Sequence, residues 1–264
     1  MARLFRSLAI TALLTVLASS ACLADRTVRV RSPSDLAKNL GSMPRIVEPR
    51  NAAERKVNAA VARLDASVRK ASTACRKDGG ARSSWERNVS VPMRGPRFIS
   101  YRITDNVFCG GAHPSVGTMA IVYDLATGLP VDWSILLPLS FTDKVTLSTA
   151  MDGTRTVTLE SKRLHALYLE RYRPKTGKPN VDAPDDECRD AVTQAGNGEA
   201  PGMIVWLDAK QGGLAARFEV SHAVQACVDD VVIPSATLRA EGAEPVLIGA
   251  IEAAHSAWQG HEGP

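Results

Sequence analysis

Hydrophobic positions recur at helical spacing in the segment that follows residue 50. Asn51 precedes Glu54 by three residues, which is the spacing of an N-terminal capping box. Beyond it, apolar side chains recur at intervals of three, four or seven residues, at Val57, Val61, Leu64, Val68 and Cys75. The pattern predicts an amphipathic helix that begins near residue 51 and packs one face against a core.

After this helix the pattern changes to that of strands. Alternating polar and apolar residues, bounded by Gly or Pro, predict strands over residues 88–92 and 98–103. Residues 119–123 are apolar and partly β-branched, which favours a strand buried on both faces. A turn over residues 124–128 would let residues 129–133 pair back. These segments predict an antiparallel meander.

The second half of the chain predicts further strands and helices. Strands are expected over residues 203–207, 214–220 and 228–233. One helix is expected to include Leu159 and to end before Pro174, a second covers residues 185–195, and a third covers residues 245–258. Residues 174–184 are predicted to form a surface loop. Five acidic residues near this loop lack the alternating pattern of a calcium loop, so we expect no metal there: Asp182, Asp185, Asp186, Glu187 and Asp190.

The first residues have the pattern of an export signal. Arg3 and Arg6 precede an apolar run over residues 8–17, and Cys22-Leu23-Ala24 ends the stretch as a cleavage site would. The run is too short to span a membrane, so we predict a signal peptide over residues 1–24 and no transmembrane anchor. A lipid anchor on Cys22 is the weaker alternative, because Ser19 stands where a large aliphatic residue is expected.

The mature chain is then predicted to be periplasmic or secreted and nearly neutral. Without Arg3 and Arg6, 30 of the 32 basic residues remain against 28 acidic ones, a net charge near +2 that argues against a nucleic-acid binder. Residues 25–50 contain three prolines and little periodicity, so we expect an extended or partly mobile arm. Residues 51–258 are expected to form one domain.

Four cysteines remain after cleavage, an even number that favours disulfides in an oxidising compartment. Three pairings are possible, and we predict Cys75 with Cys109 and Cys188 with Cys227, because shorter loops close more readily. A zinc site is the weaker interpretation because the chain has no C-x-x-C pair.

The basic residues of the first helix allow two interpretations: Arg55, Lys56, Arg63 and Arg69. Their positions lie off the apolar stripe, so a solvated surface is the simpler one. Contact with an anionic cell-wall polymer is the alternative.

Two separated motifs carry a family resemblance. The segment Phe108-Cys109-Gly110-Gly111-Ala112-His113-Pro114 is followed, after a strand, by Tyr123-Asp124-Leu125-Ala126-Thr127-Gly128. A second match comprises residues 213–218, 222–227 and 231–234. Together they resemble RsiV-like extracytoplasmic domains over about residues 86–240, a family found in a lysozyme-sensing anti-sigma factor and beside a peptidoglycan deacetylase domain.

The resemblance implies an α+β fold, with a twisted antiparallel sheet packed against helices. The amphipathic helix precedes this sheet in the chain. It also implies binding at the cell envelope. We therefore expect a non-catalytic module for a cell-wall glycan or for a wall-acting protein such as lysozyme, without cofactor or metal. The candidate ligand-binding residues are Gly110, Gly111, His113, Tyr101, Asp105, Asn106 and Tyr123. His113 either locks its loop or touches the ligand.

A hydrolase or transferase that uses His113 is the alternative function. Cys109 would be a nucleophile only as a free thiolate, which a disulfide would remove. Ser115 lies near His113 but in no G-x-S-x-G elbow. His113 could also combine with His222 and Asp124 in an acid-base or metal site. A structural envelope protein is the third interpretation.

Overall fold

The computed structural model describes residues 26–150, 152–173, 185–196, 198–220 and 222–260. The predicted signal peptide and the predicted loop over residues 174–184 lie outside these ranges. Within them, no helix combines the length and the apolar character needed to cross a bilayer.

The first long element is helix α1, Ala52–Gly79. The Asn51 side chain accepts a hydrogen bond from the Glu54 amide at 2.8 Å, and the Glu54 carboxylate accepts one from the Arg50 amide at 2.6 Å. These bonds satisfy amide groups that have no partner inside the helix. The predicted apolar stripe is buried, with Val57, Val61 and Val68 fully covered.

The first sheet is an antiparallel meander whose bounds are wider than predicted. Its strands are β3, Ser84–Arg94, β4, Phe98–Phe108, β5, Ser115–Asp124, and β6, Leu129–Pro130. They lie side by side in chain order. Because β3 starts at Ser84 and not at residue 88, it carries Trp85 and Arg87 into the sheet.

The segment before α1 lies across this sheet in an extended form. Two short strands pair in it, β1, Val30–Arg31, with β2, Arg45–Ile46. Val28, Met43 and Ile46 are buried together with α1 and one face of the first sheet. The arm thus completes the core on that face.

The second sheet has the strand order β11-β10-β9-β8-β7. Its strands are β7, Lys144–Thr149, β8, Arg155–Glu160, β9, Gly202–Asp208, β10, Gly213–Phe218, and β11, Val231–Pro234. Strands β7 and β8 were not predicted, and the prediction that Leu159 lies in a helix was wrong. Leu159 belongs to β8, because a cap at Ser161, whose hydroxyl accepts from the Leu164 amide at 3.0 Å, delays the helix.

The remaining helices cover the second sheet and the gap between the sheets. They are α2, Trp133–Leu136, α3, Lys162–Arg171, α4, Asp185–Thr193, α5, Ser235–Ala240, and α6, Pro245–Gln259. The two sheets also contact each other directly, since the Leu207 amide donates to the Ser100 hydroxyl at 3.1 Å. The fold is α+β, with antiparallel sheets packed against helices, as predicted.

Both expected disulfides are present. Cys75, near the end of α1, is joined to Cys109, directly after β4, with a Cα–Cα distance of 4.7 Å. Cys188 in α4 is joined to Cys227, with a Cα–Cα distance of 5.0 Å. Two disulfides fit a protein that folds outside the reducing cytoplasm.

Candidate functional site

The β4–β5 hairpin presents the double glycine and His113 at the surface. Gly110 and Gly111 have φ values of 93° and 109°, a region that side chains other than glycine rarely occupy. Gly79 in α1 lies so close that a Cβ there would be 2.6 Å from the Cys109 carbonyl carbon. The hairpin is therefore held by a disulfide and by close backbone packing. Residues 110–115 are all exposed, His113 among them.

The two candidate tyrosines lie in the core between the first sheet and α1. The Tyr101 hydroxyl donates to the Pro44 carbonyl at 3.1 Å, and its ring contacts the Tyr123 ring edge-on at a centroid distance of 6.2 Å. Burial raises the pKa of Tyr101 above its ordinary range and raises that of Tyr123 to about 12. Both rings therefore act first as packing groups that tie the arm to the sheet.

Asp105 belongs to a buried ionic cluster under the hairpin. Arg87 stands directly opposite it on β3, and its Nη1 donates to Asp105 Oδ2 and to Asp152 Oδ2, at 3.1 Å each. Trp85 Nε1 donates to Asp105 Oδ1 at 2.9 Å, and the Thr154 amide donates to Asp152 Oδ1 at 2.8 Å. One guanidinium thus joins two carboxylates from three parts of the chain.

The cluster places two carboxylates against one guanidinium, and part of that guanidinium has no hydrogen-bond partner in the part of the chain that the structure describes. The Arg87 side chain is 0% exposed, and its Nε and Nη2 atoms are buried without a hydrogen-bond partner in the described residues. Burial raises the pKa of the Asp105 carboxyl above its ordinary range, and the Arg87 charge and the Trp85 hydrogen bond offset this effect only in part. The carboxylate oxygens of Asp105 and Asp152 have lone pairs left that can accept further hydrogen bonds.

A cleft of about 250 Å³ opens beside this cluster. It lies along the free edge of β5, between that strand and the turn that joins β7 to β8. Its walls include an aromatic ring, three acidic side chains and several small polar residues: Trp85, Asp105, Val107, Ser115, Val116, Gly117, Thr118, Met119, Thr149, Ala150, Asp152 and Glu219. We call it the Trp85 cleft.

The structure thus separates the sequence-predicted site residues. Asp105 lines the Trp85 cleft, whereas His113 is not among its lining residues and Tyr101 is in the core. Asn106 points away from Asp105 because successive side chains of a strand alternate, and it is exposed. Trp85, Asp152 and Glu219 were missed. Trp85 gave no strand signal because Arg87 stands where an apolar residue would continue the alternation from Val89.

The residues of the catalytic alternative do not form a site in the described structure. Cys109 is disulfide-bonded, and Asp124 pairs with Arg97 at 2.8 Å while its other oxygen accepts from the Ala126 amide. The His222 side chain lies outside what the structure describes. Within the described residues, no three His, Cys, Asp or Glu side chains are grouped as a metal site would need.

The second motif reaches the same strand. In the 3-10 helix His222–Cys227, the Gln225 side chain donates from Nε2 to the Val116 carbonyl of β5 at 2.6 Å. The two motifs that carried the family resemblance therefore meet at β5, although each is distant from the other in the sequence.

The sequence matches no family model, and no curated protein is similar to it. Several solved structures are similar to it, among them two of the DUF3298 family. A DUF3298 family protein from Pseudomonas aeruginosa PAO1 aligns with a TM-score of 0.51 and 12% identity, over 85% of this chain and 98% of its own. A member of the DUF3298 family from Bacteroides fragilis aligns with a TM-score of 0.49 and 13% identity, over 86% of this chain and 95% of its own.

The Pseudomonas protein is too distant in sequence to indicate more than a shared fold. The chain therefore shares the fold of this DUF3298 family protein.

Proposed function

We propose that this chain is an exported, non-catalytic binding protein and that the Trp85 cleft takes a sugar unit of a cell-wall glycan. The observation that carries the proposal is the composition of the cleft, where an indole ring stands beside the carboxylates of Asp105 and Asp152. Sugars present hydroxyl donors around their rim and apolar C–H faces. Carboxylates accept from the hydroxyls, and aromatic rings pack against the apolar faces.

The size of the cleft favours a small ring. Its 250 Å³ is below the roughly 300–1,000 Å³ of pockets that enclose drug-sized ligands. Its lining contains three acidic residues and no basic one, so an uncharged, hydroxyl-rich ligand is favoured over an anionic one. The sugar backbone of a wall polymer meets both conditions.

The location of the protein supports the same proposal. The predicted signal peptide and the two disulfides are features of proteins outside the cytoplasm. The RsiV-like resemblance adds an association with the cell wall.

A wall-acting protein such as lysozyme is the second candidate ligand. The observation in its favour is the hairpin tip, where six successive residues from 110 to 115 are exposed on a rigid, disulfide-linked support. A protein partner would contact this tip and would not need to enter the Trp85 cleft. The two candidates thus use different residues.

Binding measurements with the oxidised protein test both. We expect N-acetylglucosamine oligomers and insoluble peptidoglycan to bind, and Trp85→Ala to weaken binding about tenfold, the loss expected for one aromatic anchor. His113→Ala is the matched control, because it changes the hairpin and leaves the cleft intact.

The outcomes separate the candidates. Binding of glycan that does not depend on Trp85 contradicts the cleft as the site. Binding of lysozyme that is lost in His113→Ala and kept in Trp85→Ala supports the second candidate in place of the first. If neither ligand binds at millimolar concentration, the proposal is wrong.

A further inference from the structure

A second cavity, of about 430 Å³, lies farther along β5. Helix α1 forms one wall and β8 forms the other, while β5 and the turn into β6 form the floor and one end. Its lining residues are Lys56, Ala59, Ala60, Arg63, Leu64, Ala120, Ile121, Val122, Tyr123, Gly128, Leu129, Pro130, Val131, Trp133, Arg155, Thr156 and Val157. We call this cavity the cationic groove.

All charged side chains that line the groove are basic. Lys56, Arg63 and Arg155 are exposed, and no acidic residue is part of the lining. None of the three has an ion pair or a side-chain hydrogen bond within the described ranges, whereas Arg26, Arg45 and other arginines have carboxylate partners. Cations from two walls of a low-dielectric groove attract an anionic ligand more strongly than scattered surface charges do.

The floor of the groove is an unpaired strand edge. The Val131 amide donates to the Val122 carbonyl, and Gln225 donates to the Val116 carbonyl, so these two carbonyls point away from β4. Because β4 and β5 pair without a register shift, backbone groups of alternate residues point the same way. The amide and carbonyl of Thr118 and Ala120 therefore face this edge.

On the side of β5 that faces away from β4, no described strand pairs with it between Val116 and Val122. Ala120 lines the cationic groove, and Thr118 lines the Trp85 cleft. The groove also has an apolar rim, since Leu129 is 57% exposed. An unpaired edge, an apolar rim and unpaired cations are together what an extended peptide with carboxylates requires.

We infer that the cationic groove binds an extended, acidic peptide segment of a partner protein, which adds to the free edge of β5. Its backbone bonds to the edge at Ala120, its apolar side chains pack at Leu129, and its carboxylates pair with Lys56, Arg63 and Arg155. The inference does not depend on glycan binding, because it uses neither Trp85 nor the ionic cluster.

A synthetic peptide tests this assignment. The probe is an acetylated pentapeptide of alternating glutamate and valine, titrated at low salt while amide signals are followed by NMR. We expect saturable binding, slower hydrogen exchange at the Ala120 amide, and loss of affinity as salt rises. The same peptide with lysine in place of glutamate should not bind.

Charge reversal locates the site. The double variant Arg63→Glu with Arg155→Glu should weaken binding at least tenfold. The control Arg69→Glu reverses the charge of an arginine on another face of α1 and should alter affinity less than twofold. All three residues are exposed, so folding is expected to be kept, and circular dichroism checks this.

Three results of the peptide titrations would overturn the inference. They are no binding of the acidic peptide at millimolar concentration, equal binding by the double variant, and equal binding of a peptide whose backbone amides are N-methylated. Equal binding of the N-methylated peptide would show that the groove binds anions without strand addition. Polyphosphate that binds more tightly than the peptide and displaces it would equally reject a peptide as the ligand.

Discussion

At the scale of single residues, Arg87 links the fold and the candidate site. It lies opposite Asp105 on the neighbouring strand and reaches Asp152 from the β7–β8 turn. A buried ion pair adds little net stability, but removal of one partner leaves uncompensated charge in the interior. The cluster thereby determines how the turn sits against the first sheet and shapes the Trp85 cleft.

Replacement of Arg87 tests this role. Arg87→Ala should lower the free energy of unfolding by about 3–5 kcal/mol, because Asp105 and Asp152 then lack a cation. Urea unfolding followed by circular dichroism measures the change. Arg63→Ala, at an exposed position, is the control and should stay within about 0.5 kcal/mol of the parent protein. A loss for Arg87→Ala as small as that of the control would contradict a structural role.

The raised pKa of Asp105 predicts a pH dependence of stability. An acid with a higher pKa in the folded state binds more protons when folded, so its contribution is complete below the ordinary pKa and is lost as the pH rises. The stability of the parent protein relative to Asp105→Asn should therefore fall as the pH rises above the ordinary aspartate pKa of about 4. Urea unfolding of both proteins across this range provides the measurement. A difference that grows with pH would show that Arg87 dominates over burial.

At the scale of elements, the end of α1 and the β4–β5 hairpin form one unit. The disulfide joins them, and the missing side chain of Gly79 lets the two backbones come together. Positive φ values at Gly110 and Gly111 then turn the hairpin tip outward. This support fixes the position of the exposed tip relative to α1.

Two glycine substitutions separate close packing from helix propensity. Gly79→Ala should destabilise the protein by about 1–3 kcal/mol, because a Cβ would be 2.6 Å from the Cys109 carbonyl carbon. Gly249→Ala in α6 should stabilise it by about 0.5–1 kcal/mol, since no atom lies within 4 Å of the added Cβ. Thermal unfolding of the two variants compares them. Equal shifts in the same direction would show that the hairpin can move away from α1.

At the scale of the whole molecule, β5 separates two surfaces of opposite character. The acidic Trp85 cleft lies along its first half, and the cationic groove lies along its second half. Both depend on the second sheet, which supplies Asp152 to one and Arg155 to the other.

The disulfides contribute to the stability of the whole molecule. The cysteines of the two bridges are separated by 34 and 39 residues, so loop closure predicts nearly equal stabilisation of about 3–4 kcal/mol each. Paired Cys→Ser variants of each bridge, compared by urea unfolding, measure it. Additive losses are expected because the bridges lie in different parts of the fold. A much smaller loss for one bridge would show that its loop is already closed in the unfolded state.

Local patterns in the sequence determined the parts of this protein that depend on neighbouring residues. The cap at Asn51, the apolar stripe of α1 and the first meander follow from spacing alone, and the four cysteines indicated the disulfides. Strands β7 and β8 were missed although apolar residues alternate with polar ones in both, at Val145 and Leu147 and at Val157 and Leu159. Both alternations are short, and Leu159 was assigned to the helix that follows. Their place is set by pairing with each other and with β9.

Only the tertiary structure decided which residues form a site. Asp105 and Asp152 are far apart in the chain, and no local pattern places the turn that carries Asp152 against β4. Likewise, Arg63 and Arg155 belong to elements that come together only when the second sheet packs on the first. The sequence indicated the kinds of residue and predicted an exported protein. Packing between distant segments determined which of them meet, because long-range contacts depend on the shape of the whole core.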